Sequence, residues 1–343
     1  MSANRFDALR LLFALVVFAY HGVALSALDI GGPLEIWLGR FAELSIQGFF
    51  IVSGALVFGS LDRSATLADY AGKRARRLYP AYVVVILIPA FASLVVTSGE
   101  GLGGVLKYIG ANLIFLNFLA PDLPGLFETN RFVEVNGALW TLKIEVMFYL
   151  VLPVLGWLIA RSGRLWWLLL AVIYVAAEAW RLVLPLVLDH PLTPELARQL
   201  PGQMAFFASG MVIWKVWDMA KAKPGIFGLV GVGLLAVSFI HPLLEPLRAA
   251  GLAGVVSGLA FLPGPKLDAA RFGDVSYGVY ITHFPIIQTA LACGLLGAVG
   301  ILGAAIGVTV AVLLASLLLW HLVERPALRR DSHYRRIAAS SPT

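Results

Sequence analysis

Residues 7–28 read DALRLLFALVVFAYHGVALSAL, a run of 22 residues whose only basic members are Arg10 and His21. Wound as a helix it would be about 33 Å long, enough to cross a hydrocarbon core of about 30 Å. The run exceeds the apolar core of a secretory signal and carries ionisable groups within it, so it reads as a retained first span. In lipid only a helix satisfies all its own backbone groups within one such segment.

Working outward, further apolar runs lie near 41–60, 80–97, 137–160, 165–184, 203–219, 225–241, 248–262, 277–296 and 299–322. The segment 105–120 is apolar but short, ends in Pro121-Asp122-Leu123-Pro124-Gly125, and is expected to be re-entrant or interfacial. The expected fold class is all-α: a polytopic membrane helical bundle of about ten transmembrane helices plus that short helix. Composition agrees, with 59% hydrophobic and 13% charged residues, the latter about half the roughly 25% of a soluble domain.

A net charge of +6 raises the question of nucleic acid, but the cations sit in short loops. With the N-terminus inside, 19 Lys and Arg fall on the inner side and 6 on the outer, with Lys143 within a span. That asymmetry predicts both termini in the cytoplasm. Residues 1–326 are expected to form one membrane domain and 327–343 a basic cytoplasmic tail held by anionic lipid. The outer segment from Thr97 to Asn136 is expected to form a partial lid. Cys293 is the only cysteine, so no intramolecular disulfide forms and a thiolate metal site has no support. The remaining histidines show no HxxxH or HxH spacing, and no metal site is expected.

An ionisable group at membrane depth costs roughly 2.5–3.5 kcal/mol on insertion scales, so each asks for a partner or a task. Arg10 and His21 are eleven residues apart, within about 20° of three full turns, so they share a helix face about 16 Å apart along the axis. Taken singly, a snorkelling Arg10 and a packing His21 are the bland readings. Glu145, entering from outside on the fourth span, is expected at about the depth of His21, where a carboxylate would fix the imidazole for work as a general base. Lys143 is two residues from Glu145 and points to a different face. Lys73-Arg74-Ala75-Arg76-Arg77 is expected in the loop before the third span. It suits topology signalling, and Arg74 with Arg77 suits an anionic ligand equally. Gln47 to Gly54, with Phe50 and Ser53, reads first as close helix packing. Ser276, Tyr280 and His283 lie near one face of the ninth span, with Pro285 able to kink it. His283 is expected in the inner half of the membrane, too far from His21 to act on the same atoms.

Together these residues resemble the acyltransferase-3 family of bacterial membrane O-acyltransferases. The resemblance is carried by Arg10 with His21, Phe49-Phe50-Ile51-Val52-Ser53-Gly54, Arg74 to Arg77 before Tyr79-Pro80, Trp140-Thr141-Leu142-Lys143-Ile144-Glu145 followed by Phe148-Tyr149, Ser276-Tyr277-Gly278-Val279-Tyr280 with His283 and Pro285, and Val323-Glu324-Arg325-Pro326. It implies transfer of an acyl group, commonly acetyl, from cytoplasmic acyl-CoA to a hydroxyl of an envelope or secreted glycan or a glycolipid, across a bacterial inner membrane. Many family members carry a further C-terminal esterase-like domain. This chain stops soon after its last span, and the expectation is that the membrane domain works unaided.

The expected catalytic pair is therefore His21 and Glu145. Arg10, Arg74, Arg77, Tyr280 and His283 are the expected donor-binding residues, and Ser53, Phe50, Trp140, Lys143 and Ser276 line the site. No permanently bound cofactor is expected; the partners are acyl-CoA, the acceptor and membrane lipid. Direct transfer and a relay through an acylated His21 both remain open. The rival from another class is a secondary transporter, which also places His, Glu and Lys in the membrane; it predicts two related halves, and no such echo is visible.

Overall fold

The computed structural model describes residues 4–264 and 274–328. The tail beyond 328, with Lys266 and Arg271 of the expected inner loop, lies outside the described residues.

Among the described residues the regular structure is helical throughout. It runs α1 (Phe6–Ser26), α2 (Pro33–Asp62), α3 (Leu67–Val96), α4 (Leu102–Leu113), α5 (Trp140–Ser162), α6 (Trp166–Val187), α7 (Thr193–Ala197), α8 (Leu200–Lys215), α9 (Trp217–Ala222), α10 (Pro224–Val237), α11 (Leu247–Phe261), α12 (Val275–Ala292) and α13 (Leu295–Leu319). Each of the ten apolar runs read from the sequence coincides with one of α1, α2, α3, α5, α6, α8, α10, α11, α12 and α13. Five helical stretches are long and apolar enough to cross a bilayer, one of them continuous through α5 and α6, and α10 and α11 are shorter apolar helices. Large side chains such as Leu302, Leu318 and Leu322 of the last stretch lie exposed, as lipid-facing residues do. The protein is a multi-pass membrane protein. The 12 residues of α4 span about 18 Å, short of a crossing.

Two boundaries differ from expectation. Helix α3 begins at Leu67, so Lys73 to Arg77 occupy helical turns and not a loop. Lys and Arg are good helix formers, and Pro80, taken as the start, lies inside the helix with Pro89. Helix α2 begins at Pro33, where proline's fixed φ suits a first turn.

The chain forms two compact units interleaved in sequence: Met1–Arg10, Leu44–Tyr70 and Ile144–Leu267 make the first, and Leu11–Glu43, Ala71–Lys143 and Asp268–Thr343 the second. In the first, α2 and α8 touch through Gly54 and Gly210. A Cβ at Gly210 would sit 2.0 Å from the Ile51 carbonyl oxygen, so only glycine permits the approach. Phe50 is buried there against Phe207, ring centroids 4.8 Å apart, which makes it a packing residue. In the second unit the segment after α4 is fastened down by side chains. Arg131 donates to the Ala24 carbonyl at the end of α1 at 2.7 Å and to Glu35 at 2.8 Å. Buried Gln288 of α12 donates to the Phe132 and Glu134 carbonyls. A cation on the last carbonyls of α1 also suits that helix's dipole.

Candidate active site

His21 meets another histidine. Its Nδ1 lies 2.9 Å from Nε2 of His283, with the rings stacked at 5.0 Å between centroids. His283 is fully buried, at 0% exposure, and its Nδ1 lies 3.0 Å from the Val279 carbonyl oxygen one turn back on α12. These contacts fix the hydrogens. A carbonyl only accepts, so Nδ1 of neutral His283 carries the hydrogen and Nε2 the lone pair. Nδ1 of neutral His21 must then donate, which leaves the lone pair of His21 on Nε2.

This placement corrects the expectation that His283 sits too deep to work with His21. Counting residues from the start of a span gives depth only where all helices begin at one level. His283 is the ninth residue of α12 and His21 the sixteenth of α1, and the two rings nevertheless meet.

Pro285 lies inside α12 two residues after His283. Proline has no N–H to give the Ile281 carbonyl four residues back, and Asn136 supplies the missing donor, Nδ2 to that oxygen at 2.8 Å. The Asn136 side-chain oxygen accepts from the Ala138 N–H at 3.3 Å, capping the short turn Gly137–Leu139 that leads into α5. Gly137 fits beneath Phe284, whose ring would lie 2.9 Å from a Cβ. One turn on, the Thr141 and Tyr280 hydroxyls meet at 2.6 Å. Tyr280 is thus tied to the start of α5, its ring edge-on to His283 at 6.0 Å. Asn136 was not singled out in the sequence, although an Asn immediately before a helix start is a recognisable cap.

Glu145 has partners of its own. Its Oε1 accepts from Ser53 Oγ at 2.7 Å and from the Tyr149 hydroxyl one turn along α5. The imidazole nitrogen that an orienting carboxylate would need is occupied by His283. Trp140, half-buried, opens α5, and the Lys143 ammonium lies 4.8 Å from the Phe118 ring centroid.

On α3, Arg77 donates to Glu324 at 2.6 Å and to Asp274, with both carboxylates buried. Glu324 closes a π-helical turn, Trp320–Glu324, and Asp274 also accepts from Ser276. Held by these two carboxylates, the Arg77 guanidinium ties three segments of the chain together. Ser276 serves the same knot. Arg74 is half-buried one turn before, and Arg10 lies 3.9 Å from Asp7.

A family model described as an acyltransferase domain, that of the acyltransferase-3 family, matches residues 4–321. The chain belongs to this family. This acyltransferase is 29% identical to nodulation protein 10 of Rhizobium leguminosarum bv. viciae, over 95% of this chain and 93% of that one. It is 26% identical to an O-acetyl transferase of Shigella phage Sf6, over 96% and 97%. It is 28% identical to the exopolysaccharide production protein ExoZ of Rhizobium meliloti, over 86% and 92%. No solved structure matches it. Membership decides between the two classes weighed from sequence: the protein is an acyltransferase, and the transporter reading falls.

Proposed function

We infer that this membrane acyltransferase takes an acyl group, acetyl in the first instance, from cytoplasmic acyl-CoA and esterifies a hydroxyl of a glycan or glycolipid on the outer side of a bacterial inner membrane. Names among the relatives, an O-acetyl transferase and an exopolysaccharide production protein, support the acceptor class. The observation that carries the reading is the lone pair imposed on Nε2 of His21 by the chain from His21 through His283 to the Val279 carbonyl.

Nε2 of His21 removes the acceptor's hydroxyl proton as the oxygen attacks the thioester carbonyl. The C–S bond breaks, and the imidazolium returns the proton to the departing CoA thiolate. His283 is a positioning residue: it holds the productive tautomer and accepts a hydrogen bond that strengthens once His21 is charged. The role first expected of Glu145 thus passes to His283. Glu145, with Ser53 and Tyr149, is assigned to the acceptor alcohol, whose proton a carboxylate can hold. Trp140 and Lys143 line that approach. Arg10 and Arg74 bind the donor's phosphates, with Tyr280 fixing α12 beside them. Along α1 the roughly 16 Å from Arg10 to His21 matches an extended pantetheine arm, so the nucleotide stays at the cytoplasmic boundary.

In inverted vesicles given radiolabelled acetyl-CoA, His21→Ala should lower label transfer to envelope glycan by about 10²–10⁴-fold, the usual contribution of a general base, at normal expression and insertion. Transfer by that variant near the wild-type rate would remove His21 from the chemistry.

A further inference from the structure

Within the segment Thr97 to Asn136, expected to act as a partial lid, residues 130–136 cross from the end of α1 to α12, on the side of His21 away from Arg10. Arg131 Nη1 donates to the Ala24 carbonyl at 2.7 Å and to Glu35 Oε1 at 2.8 Å. Ala24 lies three residues beyond His21, about 4.5 Å along the axis. Its carbonyl is among the last four of α1, which a helix leaves without a donor. At the other end of the crossing, Asn130 Nδ2 donates to the Gln288 side-chain oxygen at 2.8 Å, and Gln288 Nε2 donates to the Phe132 and Glu134 carbonyls at 2.7 and 2.9 Å. Gln288 lies five residues beyond His283, about 7.5 Å along α12. Asn136, on the Ile281 carbonyl, leads into Gly137, which packs on Phe284, and the Phe284 ring stands 5.1 Å from the ring of His21.

The crossing has two faces. Phe132 and Val133 are exposed, whereas Val135 and Asn136 are buried, and the Val135 N–H donates to the Pro121 carbonyl at 2.8 Å. Seating the start of α5 needs only the contacts with α12. The further tie of Arg131 to α1 and Glu35 closes the gap between the two helices whose imidazoles meet. That tie is the more open to solvent of the two fastenings: the Arg131 and Glu35 side chains are 27% and 14% exposed, whereas Gln288 is 0% exposed. The chemistry gives such a cover a purpose, because a base that activates an alcohol activates water as well. With water in the alcohol's place, its oxygen bonds to the acyl carbon and the C–S bond breaks. The proton passes by way of Nε2 of His21 to the thiolate, leaving free acid and CoA thiol.

We propose that residues 130–136 are a strap that keeps water from His21, with Arg131 the positioning residue that holds it shut against α1. The strap's purpose rests on the reading of His21 as the base. The test uses the full chain in lipid nanodiscs with labelled acetyl-CoA. Without acceptor, Arg131→Met should release labelled acetate about tenfold faster than wild type, the shift toward an open strap that loss of one charge-assisted hydrogen bond allows. Arg131→Lys keeps a donor and should fall back toward the wild-type rate, and Arg131→Met combined with His21→Ala should release no acetate above background. Release by Arg131→Met within twofold of wild type, from a protein that still acylates envelope glycan, overturns the strap and leaves the base standing. Fast release that persists in the double variant spares the strap and removes His21 as the base. Hydrogen exchange reads the strap without catalysis, even if the wild type transfers no label: the Val135 amide should exchange about tenfold faster in Arg131→Met. Should Arg131→Met not fold, Glu35→Ala takes its place in both measurements, with a severalfold effect. Unchanged exchange in the variant that folds overturns the strap.

Discussion

Replacing His283 tests the imidazole pair most directly. In His283→Leu, the Nδ1–H of His21 loses its acceptor at 2.9 Å. A hydrogen bond to a charged group is worth about 1.5–3 kcal/mol, and His21 becomes charged during transfer, so the rate should fall by roughly 10–150-fold from this loss alone. If the hydrogen also moves to Nε2 the base is lost, and the ceiling is the whole general-base contribution of about 10²–10⁴. His283→Gln separates the two effects. Its side-chain oxygen can accept from His21 while its amide donates to Val279, which keeps the tautomer without an imidazole to share charge. The expected order of initial rates, read as label transferred from acetyl-CoA to glycan in vesicles, is wild type, then His283→Gln, then His283→Leu. The fold should tolerate both, since the Val279 carbonyl keeps its helical hydrogen bond and the Leu variant loses two side-chain bonds, to Val279 and to His21, at about 0.5–1.5 kcal/mol each. A His283→Leu rate within about threefold of wild type, less than one hydrogen bond is worth, refutes the pairing argument. So does a Gln variant no faster than the Leu variant.

Asn136→Ala should orphan the Ile281 carbonyl at a cost of about 1–3 kcal/mol, read as a lower unfolding temperature in detergent; adding Pro285→Ala restores an N–H for that oxygen and should recover part of the loss, and strict additivity in the double-mutant cycle would deny the link. Arg77→Met leaves Asp274 and Glu324 buried without their shared cation and should cost about 3–5 kcal/mol of stability; a stable variant that merely binds CoA more weakly would return Arg77 to the donor site.

The placing of the apolar helices was legible because lipid imposes one requirement, an apolar run of sufficient length. The start of α3 was not, since Lys73 to Arg77 look like a loop to any reading by hydropathy while their side chains are at home on a helix. Arg10, His21, Glu145 and His283 stood out as ionisable groups in apolar surroundings. Their partners did not, because Ser53 with Glu145 spans 92 residues and His21 with His283 spans 262. Position along a helix gives no guide to pairs so far apart in sequence. Asn136 was hidden for a related reason: the vacancy it fills is created by Pro285, and only the folded chain brings the two together. The π-helical turn that ends in Glu324 has no signature in composition, and with it the second carboxylate on Arg77 stayed out of view.

The knot around Arg77 has a bearing on biosynthesis. Its three members are at positions 77, 274 and 324, so the guanidinium enters the membrane region long before the ribosome has made either of its counter-ions. Until residue 324 emerges, the guanidinium lacks the second of the two carboxylates that hold it in the finished protein. Assembly of that face is therefore a late, post-translational event, and a frameshift or stop codon shortly before 324 would be felt at the far end of the polypeptide, in a helix completed near the start of synthesis.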